Sequence, residues 1–545
     1  MLKRRISKFL VLAVTVALLF TAAGCSTDPK KIIWGIEEEE ITYRYDKTIY
    51  LGVEKFRSLN PLISKDESVY FISKLVFDSL FKLDEQLIPQ PVLASTMTYN
   101  EKGTELTISL RKDVKFHDGE TLTGEDVKFT IEAIKALAKT GETLYASHVA
   151  NIKSVSVAKN DPYEITISYA NAYGNGYENL IFPILPAHQF KSANAIKAGE
   201  KDYKMVGTGA YKQGDYFELS SLVLEPYEGY FGGKAESTLS FQILPNITYA
   251  IGMTDSGDIT LFFDDAVNKD SILSRYDLDV SSFISNKPEV LGFNCLKTVL
   301  SNPKVRQGIA FAIDASEILE KAYYKSGVLA DSLYYPDFYG VGNAGDAYER
   351  NLSKAERLLA QAKCKDSDGD GVLNFNESEN ISLDLIVQGN NTIRVNAAEI
   401  IAGNLSEVGL AVNVVKCSDA EYNERLYLKN YDLFIGGFSI DERYDLKYLL
   451  HSGYGNVAGF SNPEVDELLV DMTLGTEQFT KGEKVAKLKT VLTDQLPYYT
   501  LLYKTEGCYK SMYFDGLTAP MFNDVYRGCK NWQCKYPNNV ASESE

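Results

Sequence analysis

The sequence predicts an α/β protein, because strand and helix patterns alternate along its second half. Residues 380–440 contain the clearest series, and the predicted elements there are strands 381–387, 411–415 and 433–436 and helices 395–408 and 421–429. Strands that alternate with helices in this way are typical of a largely parallel sheet covered by helices. In the first half, Leu106 to Leu110 alternates apolar and polar residues as a strand does, and Thr123 precedes an amphipathic helix predicted over 124–138.

Two further helices are predicted in the second half from their starting residues. Asn302 and Pro303 open a helix that runs to about Ala312, since proline is favoured in the first helical turn. Ser353 is the predicted N-cap of another helix that ends near Lys363.

The composition describes a large, acidic globular chain. Its 545 residues are 45% hydrophobic and 24% charged, which allows two to four domains. The net charge of −18 argues against nucleic acid as a partner and against an anionic membrane surface. The six cysteines that follow Cys25 are too few for a disulfide scaffold, and their 15 pairings stay open.

The N-terminus has the pattern of a bacterial lipoprotein signal. Four basic residues precede the apolar run from Phe9 to Phe20, and small residues then lead to Gly24 and Cys25. We therefore expect removal of residues 1–24, a diacylglycerol lipid on Cys25, and a charged tether over 25–40. The alternative is an ordinary secretory signal that happens to end near a cysteine.

Catalytic motifs are missing from the sequence. It has no Gly-x-Ser-x-Gly elbow, no phosphate-binding loop with lysine, and no cysteine or histidine pair at zinc-ligand spacing. His117-Asp118-Gly119 and Gly207-Thr208-Gly209 are interpreted as turns, because glycine supplies the backbone freedom that turns need. We expect a protein that is not an enzyme.

Five motifs, in this order, resemble the oligopeptide- and dipeptide-binding lipoproteins of bacterial ABC importers. They are SLNP at 58–61, VKFHDGE at 114–120, TGEDV at 123–127, GTGAY at 207–211 and VRQGIAFAID at 305–314. Ala210 stands where the family has proline, and Gly308 where it usually has alanine. The resemblance covers nearly the whole mature chain.

The resemblance implies a two-lobed periplasmic-binding-protein-like fold of type II, cluster C, with an inserted domain and a central ligand cleft. Lobe 1 would comprise 41–60, 176–275 and 490–545 with an inserted small domain at 61–175, and lobe 2 would span 276–489. Two strands would form the hinge, and ligand would be enclosed when the lobes close.

The implied function is that of an extracellular receptor, held on the outer face of the cell membrane by its lipid, that hands oligopeptides to an ABC permease. We expect a monomer that needs no cofactor. The same fold could instead bind a sugar, a metal chelate or a signalling peptide. A lipid-tethered secreted hydrolase is the alternative from another class.

The resemblance also indicates the ligand site. The family carries Gly-Trp-x-x-Asp after the apolar strand that ends here at Gly437, and its aspartate binds the α-ammonium of the ligand. Asp441 fits that position, and Phe438 replaces the tryptophan. The backbone from Gly437 to Ser439 would pair with an extended peptide. The alternative is that Asp441 is a solvated loop acid.

Residues 366–377 read as a calcium-binding loop. Asp366, Asp368 and Asp370 alternate before Gly371, Val372 offers a carbonyl, and Glu377 is the twelfth residue. This is the ligand spacing of an EF-hand loop. A strand is predicted after it instead of a helix, so the predicted Ca²⁺ would be structural. The alternative is an acidic, solvated turn between helix and strand.

Overall fold

The computed structural model describes residues 43–196, 203–265, 278–376, 379–475 and 480–537. Residues 46–534 form one compact unit, and the chain termini form a second one, of which residues 43–45 and 535–537 are described. Cys25 and the predicted signal and tether lie outside the described residues. Among the helices of the described ranges, none combines the length and the apolar character that crossing a bilayer requires.

The strands are numbered in chain order. They are β1 Tyr43–Asp46, β2 Thr48–Glu54, β3 Phe81–Leu83, β4 Pro89–Pro91, β5 Ala94–Tyr99, β6 Glu105–Leu110, β7 Ile152–Ala158, β8 Asp161–Tyr169, β9 Tyr211–Phe217, β10 Ser221–Pro226, β11 Thr238–Leu244, β12 Leu261–Asp265, β13 Leu278–Phe293, β14 Gly327–Val328, β15 Cys364–Lys365, β16 Asn374–Phe375, β17 Glu379–Asn380, β18 Ser382–Gln388, β19 Ala411–Cys417, β20 Leu433–Gly437, β21 Tyr498–Ser511, β22 Phe514–Asp515 and β23 Gln533–Pro537.

The α-helices are numbered in the same way. They are α1 Glu67–Val76, α2 Gly124–Ala138, α3 Ala146–Val149, α4 Gly176–Asn179, α5 Tyr249–Asp255, α6 Pro303–Ala312, α7 Ala315–Lys321, α8 Leu352–Gln361, α9 Thr392–Ser406, α10 Asp419–Leu428, α11 Lys447–Leu450, α12 Pro463–Leu474 and α13 Lys481–Gln495. Short 3₁₀ turns cover Ala187–Gln189, Ala193–Ala195, Phe338–Gly340, Ser452–Tyr454 and Cys529–Asn531.

Two long strands connect the halves of the main sheet. The strand order is β19-β18-β20-β13-β21-β12-β2-β11-β10-β9, so β13 and β21 lie between the two sets of shorter strands. These two strands pair antiparallel along their length, and the register shifts between Ile284 and Pro288. We call the described residues of 46–283 and 505–534 lobe 1, and residues 288–503 lobe 2. The pair of strands that joins the lobes is called the hinge pair.

Lobe 2 has the α/β architecture that the sequence predicts. Strand β18 is parallel to both β19 and β20, which confirms the predicted parallel sheet. Its core is a continuous set of buried apolar residues, most of them aliphatic, with Leu385, Ile401 and Ile435 all at most 1% exposed. Burial of such side chains from strands and helices together stabilises the lobe at about 25 cal/mol per Å² of apolar surface.

The start of helix α8 differs from the prediction. Asn351 is the N-cap, because its side chain accepts a hydrogen bond from the backbone N–H of Lys354. Ser353 lies inside the helix, so its predicted capping role was wrong. The asparagine two residues earlier offers the same chemistry and competes for the cap position.

Lobe 1 contains a second, antiparallel sheet in the order β5-β6-β8-β7, with helix α2 packed on it. Helix α2 begins where the sequence predicts, and Thr123 and Asp126 form a capping box. This sheet falls inside the stretch 61–175 that the resemblance implies as an inserted domain. The domain boundaries themselves stay a prediction.

No disulfide bond joins two cysteines within the described residues. Cys295 is half-buried, the thiols of Cys364, Cys417, Cys508 and Cys529 are buried and free, and Cys534 is buried. Cys529 and Cys534, the closest pair along the chain, are not bonded to each other.

Candidate functional site

The motifs at 114–120 and 207–211 are joined to each other by hydrogen bonds. The backbone N–H of His117 donates to the carbonyl of Gly207 at 2.9 Å, and the N–H of Gly207 donates to Nδ1 of His117 at 3.2 Å. Nε2 of the same ring lies 3.0 Å from the carbonyl of Gly209, so the ring is a neutral Nε2–H tautomer. Burial lowers the pKa of His117 to about 4. The histidine therefore ties two turns together and is not placed as a general base.

The predicted ligand stretch continues from strand β20 along the hinge pair. The N–H of Phe438 donates to the carbonyl of Pro288 at 3.2 Å, and that of Ile440 donates to the carbonyl of Asn286 at 3.1 Å. Successive N–H groups of an extended chain point to opposite sides, so the N–H of Ser439 is expected to point away from β13. Ser439 is exposed, and its N–H has no partner among the described residues.

Gly437 and Phe438 occupy fixed places beside this edge. A Cβ atom on Gly437 would lie 2.5 Å from Oε1 of Glu289 and 2.7 Å from Nη2 of Arg394, so a side chain cannot be added there without displacing this ion pair. The ring of Phe438 meets the ring of Tyr498 edge-on at 5.6 Å. The phenylalanine thus keeps an aromatic wall next to the free amide of Ser439.

The carboxylate of Asp441 is paired within its own loop. Arg443 Nη2 donates to its Oδ2 at 2.5 Å, and the backbone N–H of Arg443 donates to its Oδ1 at 3.0 Å. The Asp441 side chain is 50% exposed, whereas that of Arg443 is 12% exposed. The structure therefore places Asp441 at the predicted loop with an internal cation beside it.

Arg443 also crosses to lobe 1. Its Nη1 donates to Oδ1 of Asn179 at 2.9 Å, and its Nη2 donates to Oγ of Ser147 at 2.8 Å. One guanidinium thus bonds two side chains of lobe 1 and the predicted ligand carboxylate of lobe 2.

Glu442, between these two residues, also bonds to lobe 1. Its Oε1 accepts from the hydroxyl of Tyr70 at 2.9 Å, and its Oε2 lies 3.3 Å from Nζ of Lys74. Lys74 in addition donates to the Tyr70 hydroxyl at 2.7 Å and to the carbonyl of Asn523 at 2.8 Å. The segment from Gly437 to Arg443 thus contacts the hinge pair with its first half and lobe 1 with its second half.

A buried ion pair joins the lobes at another point. Oε1 of Glu178 in lobe 1 accepts from Nζ of Lys481 and from the hydroxyl of Tyr339 in lobe 2, each at 2.5 Å. The side chains of Glu178 and Lys481 are only 3% and 11% exposed. This ion pair and the hydrogen bonds of Glu442 and Arg443 hold the two lobes in contact with each other.

An interlobe cavity of about 180 Å³ lies beside Lys74. Most of its wall belongs to lobe 1, including Phe77, Asp78, Asn523 and Asp524, and Glu442 contributes from lobe 2. Burial raises the pKa of Asp78 to about 6, against the opposing effect of hydrogen bonds from Thr208 and Tyr230.

Four residues of the interlobe region were not predicted from the sequence: Lys74, Asn179, Arg443 and Asp524. Arg443 is 264 residues from Asn179 along the chain, and Lys74 is 368 residues from Glu442. No local pattern encodes contacts of this separation. The one available signal was the local run Asp441-Glu442-Arg443, whose adjacent charges match the pairing that the structure shows.

The acidic loop brings its three aspartates together. Carboxylate oxygens of Asp366, Asp368 and Asp370 lie within 4.8 Å of one another, and all three residues are exposed. Asp366 accepts from the backbone N–H of Gly369 at 2.7 Å and from that of Gly371 at 3.1 Å. Val372 donates its N–H to Asp370 at 2.7 Å, and Glu377 lies outside the described residues.

The comparisons with known proteins identify a family and several relatives. The profile of the bacterial extracellular solute-binding proteins, family 5, matches residues 89–460. The oligopeptide-binding protein AppA of Bacillus subtilis is 24% identical over 98% of this chain and 100% of its own. The nickel-binding periplasmic protein of Escherichia coli is 24% identical over 66% of this chain and 68% of its own.

Solved structures show the same architecture. The Bacillus subtilis AppA, solved in complex with a nonapeptide, superposes with a TM-score of 0.61 at 22% identity and covers 90% of this chain and 99% of that one. The chain therefore belongs to the bacterial extracellular solute-binding proteins of family 5, a family of extracytoplasmic substrate-binding proteins and not of enzymes. The two-lobed fold that the motifs implied is confirmed.

Proposed function

We propose that this protein binds a peptide between its lobes and delivers it to the permease of an ABC importer. The observation that carries the proposal is the segment Gly437 to Arg443. It lies along the hinge pair, offers the free N–H of Ser439 at its outer edge, and reaches lobe 1 through Glu442 and Arg443. A ligand on this segment would contact the elements that move when the lobes close.

The backbone edge from Gly437 to Ser439 suits a peptide, because an extended peptide carries carbonyl groups at regular intervals. One of these carbonyls can accept from the N–H of Ser439. Such main-chain bonding gives affinity that does not depend on side-chain identity. The aromatic face of Phe438 would pack on the ligand, and Gly437 would leave its backbone approachable. Asp441 is half-exposed, so its carboxylate can accept the ligand's α-ammonium while Arg443 remains its neighbour.

Closure follows from where these groups lie. A ligand that touches both lobes interacts with the closed arrangement more strongly than with an open one, so it shifts the population toward closed. The permease can then distinguish loaded protein from empty protein by its shape. The relationship to a protein named for oligopeptide binding supports a peptide as the solute.

The test is identification of the retained solute. Protein lacking residues 1–24 would be purified without denaturant and analysed by native mass spectrometry, and again after unfolding, dialysis and refolding. We expect peptide masses in the first sample, none in the second, and their return when a peptide mixture is added. A retained haem, metal chelate or sugar in place of peptides would refute the proposal.

We further propose that Cys25 carries the lipid that holds the protein, as a monomer, on the outer face of the membrane. Replacement of Cys25 by alanine should release the protein from membranes into the medium. If the variant stays with the membrane fraction after a high-salt wash, the proposed anchor is wrong.

We also propose that the 366–377 loop binds a structural Ca²⁺. The three carboxylates already lie within 4.8 Å of one another, and hard oxygen ligands at this density are what Ca²⁺ prefers. Asp366, Asp368, Asp370 and the carbonyl of Val372 would hold the ion, with Glu377 as the closing ligand.

A further inference from the structure

The interlobe cavity has an apolar side that is large enough for a side chain. Its volume of about 180 Å³ far exceeds what one water molecule or a bare ion needs. Phe77, Tyr145 and Ile181 line it and are all buried. Walls of this kind accommodate the methylene stem of a long side chain.

Asp524 is the carboxylate of this cavity that lacks a partner. Neither of its carboxylate oxygens makes a hydrogen bond or an ion pair within the described part of the chain. Burial raises the pKa of Asp524, the nearby cations Lys74, Lys82 and Arg527 lower it, and Glu442 raises it. An ionised carboxylate in such a place is costly unless a cation or a donor meets it.

Asn523 gives a second, independent indication. It lines the same cavity, is 4% exposed, and its Oδ1 has no hydrogen-bond partner among the described residues. A buried acceptor without a donor costs about 1–3 kcal/mol. An occupant that carries N–H groups would satisfy both Asn523 and Asp524.

The other charges of the cavity are already satisfied or lie at its edge. The ammonium of Lys74 donates to Glu442, to the Tyr70 hydroxyl and to the Asn523 carbonyl. Asp78 accepts from Thr208 at 3.0 Å and from Tyr230 at 3.4 Å. Lys82 is exposed at the rim. A second cation inside therefore has Asp524 as its available partner.

We propose that this cavity takes a basic side chain of the bound peptide, and that Asp524 pairs with its charged end. The inference rests on the proposed peptide-binding function and narrows it to peptides that carry lysine or arginine. The cation in the cavity is assigned to a side chain of the peptide, because the peptide's α-ammonium is then still available to bind Asp441. The aromatic ring of Tyr145 supplies a further favourable surface for a cation.

The experiment uses the mature full-length protein and a defined set of pentapeptides. Lysine is placed at each position of an alanine pentapeptide in turn, and a matched set carries norleucine, which keeps the four-carbon stem and lacks the ammonium group, at the same positions. Both sets are made with free and with acetylated N-termini, and the dissociation constants are measured by calorimetry. We expect wild-type protein to bind lysine at least 10-fold tighter than norleucine at one position.

The Asp524→Asn variant keeps the size of the side chain and removes its charge. We expect it to reduce the lysine preference to 2-fold or less, and to leave the affinity for norleucine peptides close to that of wild type. Asp215→Asn, an exposed site on strand β9, is the matched control and should retain the full preference. Thermal unfolding of all variants verifies that they are folded.

Each of the other outcomes overturns a specific part of the proposal. If norleucine peptides bind wild type as tightly as lysine peptides, the cavity does not take a basic side chain. If the Asp524 variant discriminates against free-amine peptides of both sets but not against acetylated ones, the cavity takes the α-ammonium. If wild type binds none of the peptides, the proposed function itself fails. This outcome is distinguishable, because failure of the cavity proposal alone leaves wild type still binding the norleucine peptides.

Discussion

Arg443 donates to Asp441 across 2.5 Å while it also bonds Asn179 and Ser147 of the opposite lobe. The carboxylate that the resemblance assigns to the ligand is thus connected to lobe closure through a single guanidinium. A ligand ammonium that competes for Asp441 would weaken its bond to Arg443 and leave the guanidinium to its partners in lobe 1. Ligand charge and interlobe bonding are therefore linked at this residue.

The first prediction concerns that link. Arg443→Met keeps an unbranched apolar side chain but removes the guanidinium and its bonds to both lobes, so we expect the unliganded protein to open. Small-angle scattering should show a larger radius of gyration than for wild type. Arg425→Met, which removes a guanidinium that pairs with Glu421 within helix α10, is the control and should leave the radius unchanged. Equal radii for wild type and Arg443→Met would contradict the assignment.

The local helices and strands of this region could be predicted from the sequence, but the contacts between the two lobes could not. Strand β20, the parallel sheet and helix α2 follow from periodicity and capping, which are properties of neighbouring residues. The pairing of Arg443 with Asn179 depends on the way in which two lobes approach, and no spacing in the sequence encodes that approach. The family resemblance predicted the position of Asp441 in the loop, but it did not predict that Arg443 pairs with its carboxylate.

The second prediction concerns the buried pair of Glu178 and Lys481. Glu178→Gln removes the anion and leaves the Lys481 ammonium buried without a counter-charge, which should destabilise the protein by about 3–5 kcal/mol. The double variant Glu178→Gln with Lys481→Met should recover most of this loss, because it removes the stranded cation. Thermal unfolding measures both.

The control for this pair is Glu464→Gln. Glu464 pairs with Lys487 at the surface, where both side chains are more than half exposed. Exposed pairs contribute little, so this variant should unfold close to wild type. A double variant as unstable as Glu178→Gln alone would mean that the buried pair acts through something other than its charges.

The third prediction concerns pH. Burial raises the pKa of Asp78 from 3.8 to about 6, so the folded protein holds a proton that the unfolded chain has lost. The contribution of Asp78 to the free energy of unfolding is therefore fully present below pH 3.8. It is lost as the pH rises through 6, and the loss is at most about 3 kcal/mol. Asp78→Asn should be more stable than wild type at pH 7.5, and the difference should shrink toward pH 4.

The measurement is the midpoint of urea unfolding of both proteins between pH 4 and pH 8. Thr208 and Tyr230 donate to different oxygens of Asp78, and asparagine offers a single acceptor oxygen, so the substitution removes one of these hydrogen bonds at every pH. The pH-dependent part of the difference therefore isolates the charge. A difference that does not depend on pH would show that Asp78 does not titrate in this window.

The fourth prediction concerns calcium. If the 366–377 loop holds the ion, Ca²⁺ at about 100 times its dissociation constant should stabilise the protein by about 2.7 kcal/mol. Tm should rise with CaCl₂, fall with EDTA, and become insensitive to both in Asp370→Asn. Glu356→Gln, an exposed acid on helix α8, should retain the response. A wild-type Tm that is the same in CaCl₂ and EDTA would leave the loop as a solvated turn.

The last prediction tests the free amide of Ser439 directly. Ser439→Pro removes the N–H that the proposed ligand would accept from, whereas Ser439→Ala removes the hydroxyl and keeps that N–H. The flanking N–H groups of Phe438 and Ile440 remain bonded to strand β13 in both variants. Loss of one main-chain hydrogen bond at a buried interface costs about 1–3 kcal/mol, which is a 5- to 150-fold loss of peptide affinity. We therefore expect weak binding by the proline variant and near wild-type binding by the alanine variant, measured by calorimetry with the peptide that native mass spectrometry identifies. If both variants bind equally well, the peptide does not lie along this edge, whereas equal losses would point to the hydroxyl of Ser439 as the contact instead.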